Sequence, residues 1–529
     1  MNKNYIYLII ASIFLTVSFT GNSFAQFAGG GPKPGDVYKE FAFNNDTTNW
    51  RVTDPLADPV CDPGNCPSDY LPNAILPFAN LSAEDLQGAI KAELLIDLWG
   101  GHYGTTPKEF RVNGNAWITI PELDGLPTAP PPADPGENYM QQVNHLIEVP
   151  VSQLLEGGNT LEGTSGPNPW DWGQWGWFGV ILRIYYDSSK PHATGQITSP
   201  VSGATFSDNP TITASVSGNV DRVDFLAFYE GYDSDGDGVF IDWHRNYHRE
   251  SWTSPISIRN HLGTVTSAPF QSTWDTQWIP DQSSGQVKFI ARIRDDNDVW
   301  FVTDEVSNLT LQRTGFSVKL FKPEEVPQKF WVHLGQIKSS KVNISTLADA
   351  TAAVMYVTTW NGNDGTDNFY SKVNSWTAPK YGANHFHSYD QVPVPLSELT
   401  TGENLITFSS STIHHGIEIM WPGPAIVVQY DLGNGTQYTL NVTTSGSGTV
   451  SLNPPGGVYD PDTPVELTAQ PALGWMFTGW SGDLTGTTNP ETIAMDADKN
   501  VTATFTQNPA VILSEGFEGY SAGADPVDW

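Results

Sequence analysis

The chain has 529 residues, with 58 Asp and Glu against 25 Lys and Arg, a formal net charge of −33 at pH 7. No basic run offsets that balance, which excludes the phosphate-neutralising patch that nucleic acid or an anionic membrane surface requires of a partner. Glycine, proline, threonine and aromatic residues are abundant and long helical periodicity is missing. Alternating runs such as "GQVKFIARIRD" and "PAIVVQYD" therefore predict an all-β chain built as several sandwiches, suited to neutral ligands or divalent cations.

In chain order, Lys3, the apolar run "YIYLIIASIFLTVSF" and Ser23-Phe24-Ala25 give residues 1–25 the form of a secretory signal. The run is short for a bilayer span, so the expectation is an exported chain, secreted or held at the cell surface, with no membrane insertion. The loop "CDPGNC" carries the only cysteines, Cys61 and Cys66. An exported chain meets an oxidising compartment, so a local disulfide is the first reading and two free thiols the other. A zinc site lacks a second Cys or His pair at ligand spacing.

An internal repeat organises the rest. "VPVSQLLEGGN" (149–159) and "VPLSELTTGEN" (394–404) agree at matching places, as do "WFGVILRIYYD" (177–187) and "WPGPAIVVQYD" (421–431). Trp99 stands 13 residues before Val112 and Trp360 stands 13 before Val373. Each copy reads as strand, loop, "VN" strand, insertion, "VPxS" segment, "GxN" turn and closing strand. With "FRVNGNAW", "LLEGGNTLEG" and "FGVILRIYYD", that order resembles the galactose-binding-like jelly roll. The resemblance implies two such modules, over 27–190 and 315–432, in a fold that hosts sugar binding, lipid binding and structural roles.

Between the copies, "ITSPVSGATFSDNPTITASVSGNVDRVDFLAFYEGYD" and "FQSTWDTQWIPDQSSGQVKFIARIRDDNDVWFVTDEVSNLTL" resemble the opening and closing strands of a bacterial immunoglobulin-like domain, over 195–313. Residues 436–507, with "GWMFTGW" at their centre, resemble the divergent internalin-B-type bacterial repeat, a small β-grasp-like module. The resemblance implies a spacer or adhesive role, with Trp475, Phe477 and Trp480 read as core. "AVILSEGFEGYSAGADPVDW" (510–529) looks like the opening of a further β-domain.

The stretch "YEGYDSDGDGVFIDWH" (229–244) raises the question of a metal. Asp233, Asp235 and Asp237 followed by Gly238 match the first half of an EF-hand-like calcium loop, where alternate carboxylates converge on a hard cation and glycine permits the turn. The Val239 carbonyl would take the seventh loop position. His244 stands where a bidentate glutamate is needed, so Asp242 or Glu230 would have to substitute. The competing reading is a solvated acidic turn. Flanking strands argue against a helix-loop-helix.

Aromatic faces suit sugar rings, and "NPWDWGQWGWFG" (168–179) crowds Trp170, Trp172, Trp175 and Trp177 with Asp171 and Gln174. Trp177 recurs as Trp421 and is read as structural, as are Trp99 and Trp360. Trp170, Trp172 and Trp175 are the binding candidates, against an equally weighted reading as packing. In the second copy "STIHHGIEIMW" and "NHFHSYD" offer His385, His387, His414, His415 and Glu418. Alternate histidines on one strand share a face, so sugar contacts or structural histidines come first and a transition-metal site second.

No G-x-S-x-G, P-loop or dinucleotide fingerprint occurs. The expectation is a monomeric, exported carbohydrate-binding protein with structural calcium, the non-catalytic part of a polysaccharide-handling system. An adhesin is the alternative, and an enzyme, in the second copy or beyond Trp529, the third.

Overall fold

The computed structural model describes residues 31–44, 51–53, 70–72, 75–100, 107–121, 139–165, 175–251, 253–362, 370–412, 416–432, 438–460 and 463–508. The described chain is β-strand almost throughout, as expected for tandem sandwiches. The signal, the cysteine pair and residues 510–529 lie outside the described residues. No described helix is long and apolar enough to cross a membrane.

The two copies are paired strand for strand. In the first, Trp175–Tyr186 lies between Val37–Asn44 and Ala89–Trp99, and Ala89–Trp99 also pairs with Gln142–Val149. In the second, Ala425–Asp431 lies between Phe316–Phe321 and Ala350–Trp360, and Ala350–Trp360 pairs with His387–Pro393. The opposing sheets correspond likewise: Ile75–Leu81, Gly157–Ser165 and Lys108–Val112 against Gln336–Ile344, Gly402–Ser410 and Tyr370–Val373.

Polar detail repeats as well. Asn113 and Asn374 follow the "VN" valines with φ of 51° and 53°, a left-handed conformation asparagine tolerates. Asn113 donates to the Gln153 carbonyl (2.8 Å) and Asn159 Oδ1 (2.7 Å), while Asn374 donates to the Glu398 carbonyl (2.8 Å) and Asn404 Oδ1 (2.9 Å). Asn159 and Asn404 in turn close their "GxN" turns onto Leu155 and Thr400. The repeated asparagines thus hold the turn that sets the register of each sandwich.

Ala89–Trp99 is buried almost end to end because both of its faces are covered. Leu94, Ile96 and Leu98 enter the core of the first sandwich, while Leu95 enters a second core shared with Leu226, Phe228, Ile290 and Trp300 of the immunoglobulin-like unit. The sandwich and that unit are continuous: Val37–Asn44 pairs with Trp175–Tyr186 on one edge and with Val299–Val302 on the other, inside a 13-stranded sheet. The second copy docks on the other side, where Tyr232 packs with Val354, Tyr356 and Val427.

Within the shared face lies a buried ionic ladder. Arg292, 2% exposed, donates to Asp224 Oδ2 (2.6 Å), Glu40 Oε1 (3.0 Å) and the Tyr247 hydroxyl (2.8 Å). Arg183 donates to Glu40 (2.8 Å) and is paired with Glu93, which also accepts from the Tyr185 hydroxyl. Burial pushes the Glu40 and Asp224 carboxyls up, but the adjoining guanidinium groups outweigh it and hold both below their ordinary values.

The C-terminal described unit closes its own core. Trp480 is buried and donates to the Thr488 carbonyl (2.7 Å), with Trp475 and Phe477 packed against it.

Removing the cation of the ladder leaves Asp224 and Glu40 buried without it. Arg292→Met is expected to destabilise the fused unit by about 3–5 kcal/mol. Urea denaturation of the full chain measures this, and an unmoved transition would show that the ladder carries no weight.

Candidate metal centre

Strand Val220–Glu230 and its return, Ile241–Trp243, form a hairpin with Glu230 opposite Ile241. The acidic motif is its loop, with strands rather than helices on both sides. Gly236 and Gly238 have φ of 70° and 89°, so the chain can turn back sharply at both. Asp233 organises the turn: Oδ1 accepts from the N–H of Gly236 (2.7 Å) and Asp237 (3.2 Å), and Oδ2 from that of Gly238 (2.8 Å). Asp237 Oδ1 accepts from the Val239 N–H (2.8 Å).

Carboxylate oxygens of Asp233, Asp235 and Asp237 come within 4.8 Å of one another. Asp233 is 0% exposed and Asp237 8%, which rules out a solvated acidic turn for these two. No Lys or Arg pairs with any of the three among the described residues. Burial, then mutual repulsion, pushes Asp233 and Asp237 up to about 8 and Asp235 well above the carboxylate range. Two buried carboxyls and a half-buried one at this separation either keep their protons or share a cation. A set of oxygen-only donors on a glycine-hinged loop fits a hard divalent ion.

The other expected contributors fare differently. Asp242 stands outside the triad, its Oδ1 accepting from the Trp243 N–H (2.7 Å), though its charge is felt by Asp235 and Asp237. Glu230 is drawn away by Lys322 Nζ at 3.0 Å. Val239 offers its N–H to Asp237 and its side chain to solvent. His244 is a core residue: its ring stacks on Tyr229 at 3.9 Å, Nε2 meets the Tyr229 carbonyl at 2.9 Å, and burial pushes it down to about 4.

The loop sits at the junction of the three larger units. Tyr232 donates to the Gly423 carbonyl of the second copy (2.8 Å), and a Cβ on Gly236 would lie 2.9 Å from the Trp421 carbonyl oxygen. Asn260 Nδ2 donates to Ser234 Oγ (2.9 Å) from the neighbouring hairpin. Beside it, Trp99 and Trp360, equivalent in the repeat, meet at 5.8 Å, and Trp99 Nε1 donates to Glu418 Oε2 (2.8 Å).

The sugar-binding candidates divide. Trp170, Asp171, Trp172, Gln174, His414 and His415 lie outside the described residues. Trp175 is corrected: it is 0% exposed, donates to the Thr164 carbonyl (3.0 Å) and packs on Trp177. It stands two residues before Trp177 on one strand and so turns into the sandwich core with it. His385 and His387 do not share a strand face. His385 precedes the strand in a turn with φ of 63°, and His387 opens it opposite Trp360. His387 stacks on His248 at 3.9 Å and is held well below the ordinary histidine range, first by burial and then by His248. His248 in turn meets buried Asp97 (2.8 Å). His387 thus packs against the immunoglobulin-like unit, while His385 meets Asn361 and Trp360 of its own copy.

Sequence reasoning missed the ladder of Glu40, Asp224, Arg183 and Arg292. Its signal was the arginine set between apolar residues, Arg183 in "VILRIYY" and Arg292 in "FIARI", where a buried cation demands a buried anion.

Residues 438–509 match the family described as a divergent InlB B-repeat domain, and residues 194–298 match a bacterial Ig domain. Both resemblances noted in the sequence are thereby shown. Comparison with curated proteins gives no match. Among solved structures, a β-porphyranase of glycoside hydrolase family 86 from the gut bacterium Bacteroides plebeius is 12% identical, covering 47% of this chain and 37% of its own, at a TM-score of 0.18. A putative beta-galactosidase from Bacteroides fragilis is 14% identical over 54% of this chain and 42% of its own, at 0.19. The fibronectin(III)-like modules of Clostridium thermocellum CbhA are 9% identical over 59% and 94%, at 0.15. The chain thus spans less than half the length of either enzyme. Likenesses at these scores carry no argument about this chain.

With no cation bound, the triad carboxyls hold protons in the folded chain at pH values where the unfolded chain has lost them. Their folded values lie above the unfolded one, so their contribution is fully present below about pH 4 and is lost as pH rises toward 8. In chelator, thermal unfolding should show stability falling through this window relative to an Asp235→Asn, Asp237→Asn variant. Parallel pH profiles for the two chains would contradict the buried-triad chemistry.

Proposed function

We propose that this chain is an exported, multi-domain carbohydrate-binding protein, the non-catalytic part of a polysaccharide-handling system, whose three larger units are locked together by calcium. The observation that carries the glycan reading is a difference between the copies. The described tryptophans that recur, Trp99, Trp177, Trp360 and Trp421, are used in packing. Trp170 and Trp172 have no counterpart in the second copy and precede the anchored Trp175 in the sequence. Flat aromatic faces with Asp171 and Gln174 beside them suit a neutral sugar ring. The bacterial immunoglobulin-like and repeat domains accord with an exported chain that displays such a site.

Calcium is supported by the triad. An ion there would be held by Asp233, Asp235 and Asp237, with Asp242 and the Val239 carbonyl as the nearest further oxygen donors along the loop. Its chemistry would be structural: it replaces three protons and fixes the loop against Trp421 and Gly423 of the second copy.

Two measurements follow. Calcium at a hundredfold excess over its dissociation constant should stabilise the chain by about 2.7 kcal/mol, and Asp235→Ala should remove the shift. Equal melting temperatures with and without calcium would remove the ion from this reading. For the glycan, the full chain is the object, because the first sandwich shares its sheet with the immunoglobulin-like unit. It should be retained on an insoluble neutral polysaccharide with little dependence on salt and without release of reducing ends, and Trp172→Ala should weaken retention about tenfold. Retention on a protein or cell surface alone would favour an adhesin, and product release would favour an enzyme.

A further inference from the structure

Where the immunoglobulin-like unit and the first sandwich share their sheet, the hairpin of Asn246–His248 and Ser257–Arg259 lies across one face. Beneath its edge is a cleft of about 140 Å³, open to solvent on one side. One wall is apolar, formed by Ile181, Ile256 and Ile258. The other is a row of guanidinium groups, Arg222, Arg292 and Arg294, set 5.5, 4.6 and 5.7 Å from the Trp300 ring.

The three arginines are not equally committed. Arg292 is buried in the ladder, and its Nε–H has no acceptor among the described residues. Arg222 is bound through Nε to Asp224 (2.8 Å), with no hydrogen-bond partner for its terminal nitrogens among the described residues. Arg294 gives one edge to Asp221 (2.9 and 2.8 Å) and its remaining nitrogen to Asp298, 3.4 Å away. The Asp298 side chain is 71% exposed, so this last pair contributes little and is easily exchanged. Beyond the edges already held by Asp221, Asp224 and Glu40, the cleft therefore presents the terminal nitrogens of Arg222 and one nitrogen of Arg294 whose partner is a loose surface carboxylate. A buried donor such as the Arg292 Nε–H is costly to leave unmatched.

We propose that this cleft binds a single anionic sugar residue, its oxyanion displacing Asp298 from Arg294 and bridging to Arg222, its C–H face against Ile256 and Ile258. Guanidinium forks match carboxylate and sulfate oxygens in pairs, which a hydroxyl cannot reproduce. The apolar wall opposite suits the ring rather than a free ion. The ligand class rests on the glycan-handling reading above, while the site is separate from the loop holding Trp170 and Trp172.

The test is calorimetric titration of the full chain, in calcium, with an oligogalacturonate, a sulfated galacto-oligosaccharide, the matching neutral oligosaccharide and inorganic sulfate. One of the two charged sugars should bind, deciding between carboxylate and sulfate, with affinity that weakens as salt is added. Arg294→Gln and Arg222→Gln should each weaken that binding at least tenfold. Asp298→Asn should strengthen it severalfold, because it removes the competing carboxylate, a gain no purely structural role would produce. Melting temperatures of the variants establish that they are folded. No binding of either charged sugar, inorganic sulfate binding as tightly as the sugar, or affinity unmoved by both arginine substitutions would overturn the proposal. Retention of the unmodified chain on neutral polysaccharide reports separately on the tryptophan loop, so failure of one reading is distinguishable from failure of the other.

Discussion

Strand Val37–Asn44 pairs on both edges, with Trp175–Tyr186 of its own sandwich and with Val299–Val302 of the immunoglobulin-like unit. That double pairing, along the whole strand on one edge and over Val37–Lys39 on the other, converts two units into one continuous sheet. Once joined, the sheet has a face that belongs to neither unit. Tyr38, Leu95, Ile181, Leu226, Ile290 and Trp300 cover it with apolar surface. The ladder of Glu40, Arg183, Asp224 and Arg292 crosses it with charge. The cleft lies along this seam, lined by Glu40 and Ala42 of the same strand.

Two ways of burying carboxylates stand side by side here. At the ladder each acid meets a guanidinium group, and the balance of burial and attraction leaves Glu40 and Asp224 ionised. At the loop the same burial acts on acids that no Lys or Arg among the described residues pairs with, and the carboxyls of Asp233 and Asp237 are driven up to about 8. The protein thus supplies the countercharge from its own sequence at the ladder, and raised carboxyl values mark the loop where it does not.

Much of this was legible in advance, for physical reasons that differ from feature to feature. The repeat was visible because register is fixed by a few obligatory residues: Asn113 and Asn374 at left-handed positions, Asn159 and Asn404 closing their turns. The acidic loop was visible because Asp233, Asp235 and Asp237 alternate with small residues and Gly238 follows at once. Of the two equally weighted readings of Trp175, packing holds, because it stands two residues before Trp177 on one strand and so shares its inward face. His385 and His387 were misjudged because a turn precedes the strand that alternation assumed.

What could not be read was the joining of units. A chain divided by resemblance into domains invites a picture of beads on a string, in which every strand run belongs to one bead. The counter-evidence lay in Ala89–Trp99 and Trp175–Tyr186, whose near-continuous burial exceeds what a sandwich with one solvated face requires. A strand apolar on both faces declares a second partner without naming it. Charged residues inside such a strand narrow the choice, because Arg183 and Asp97 tolerate burial only beside complementary groups. Glu40 and Glu93 meet the first and His248 the second, from other strands and, for His248, another unit. Buried charge in an apolar strand is therefore as much a statement about neighbouring modules as about the strand itself, and it is the sequence feature that most directly foretold this architecture.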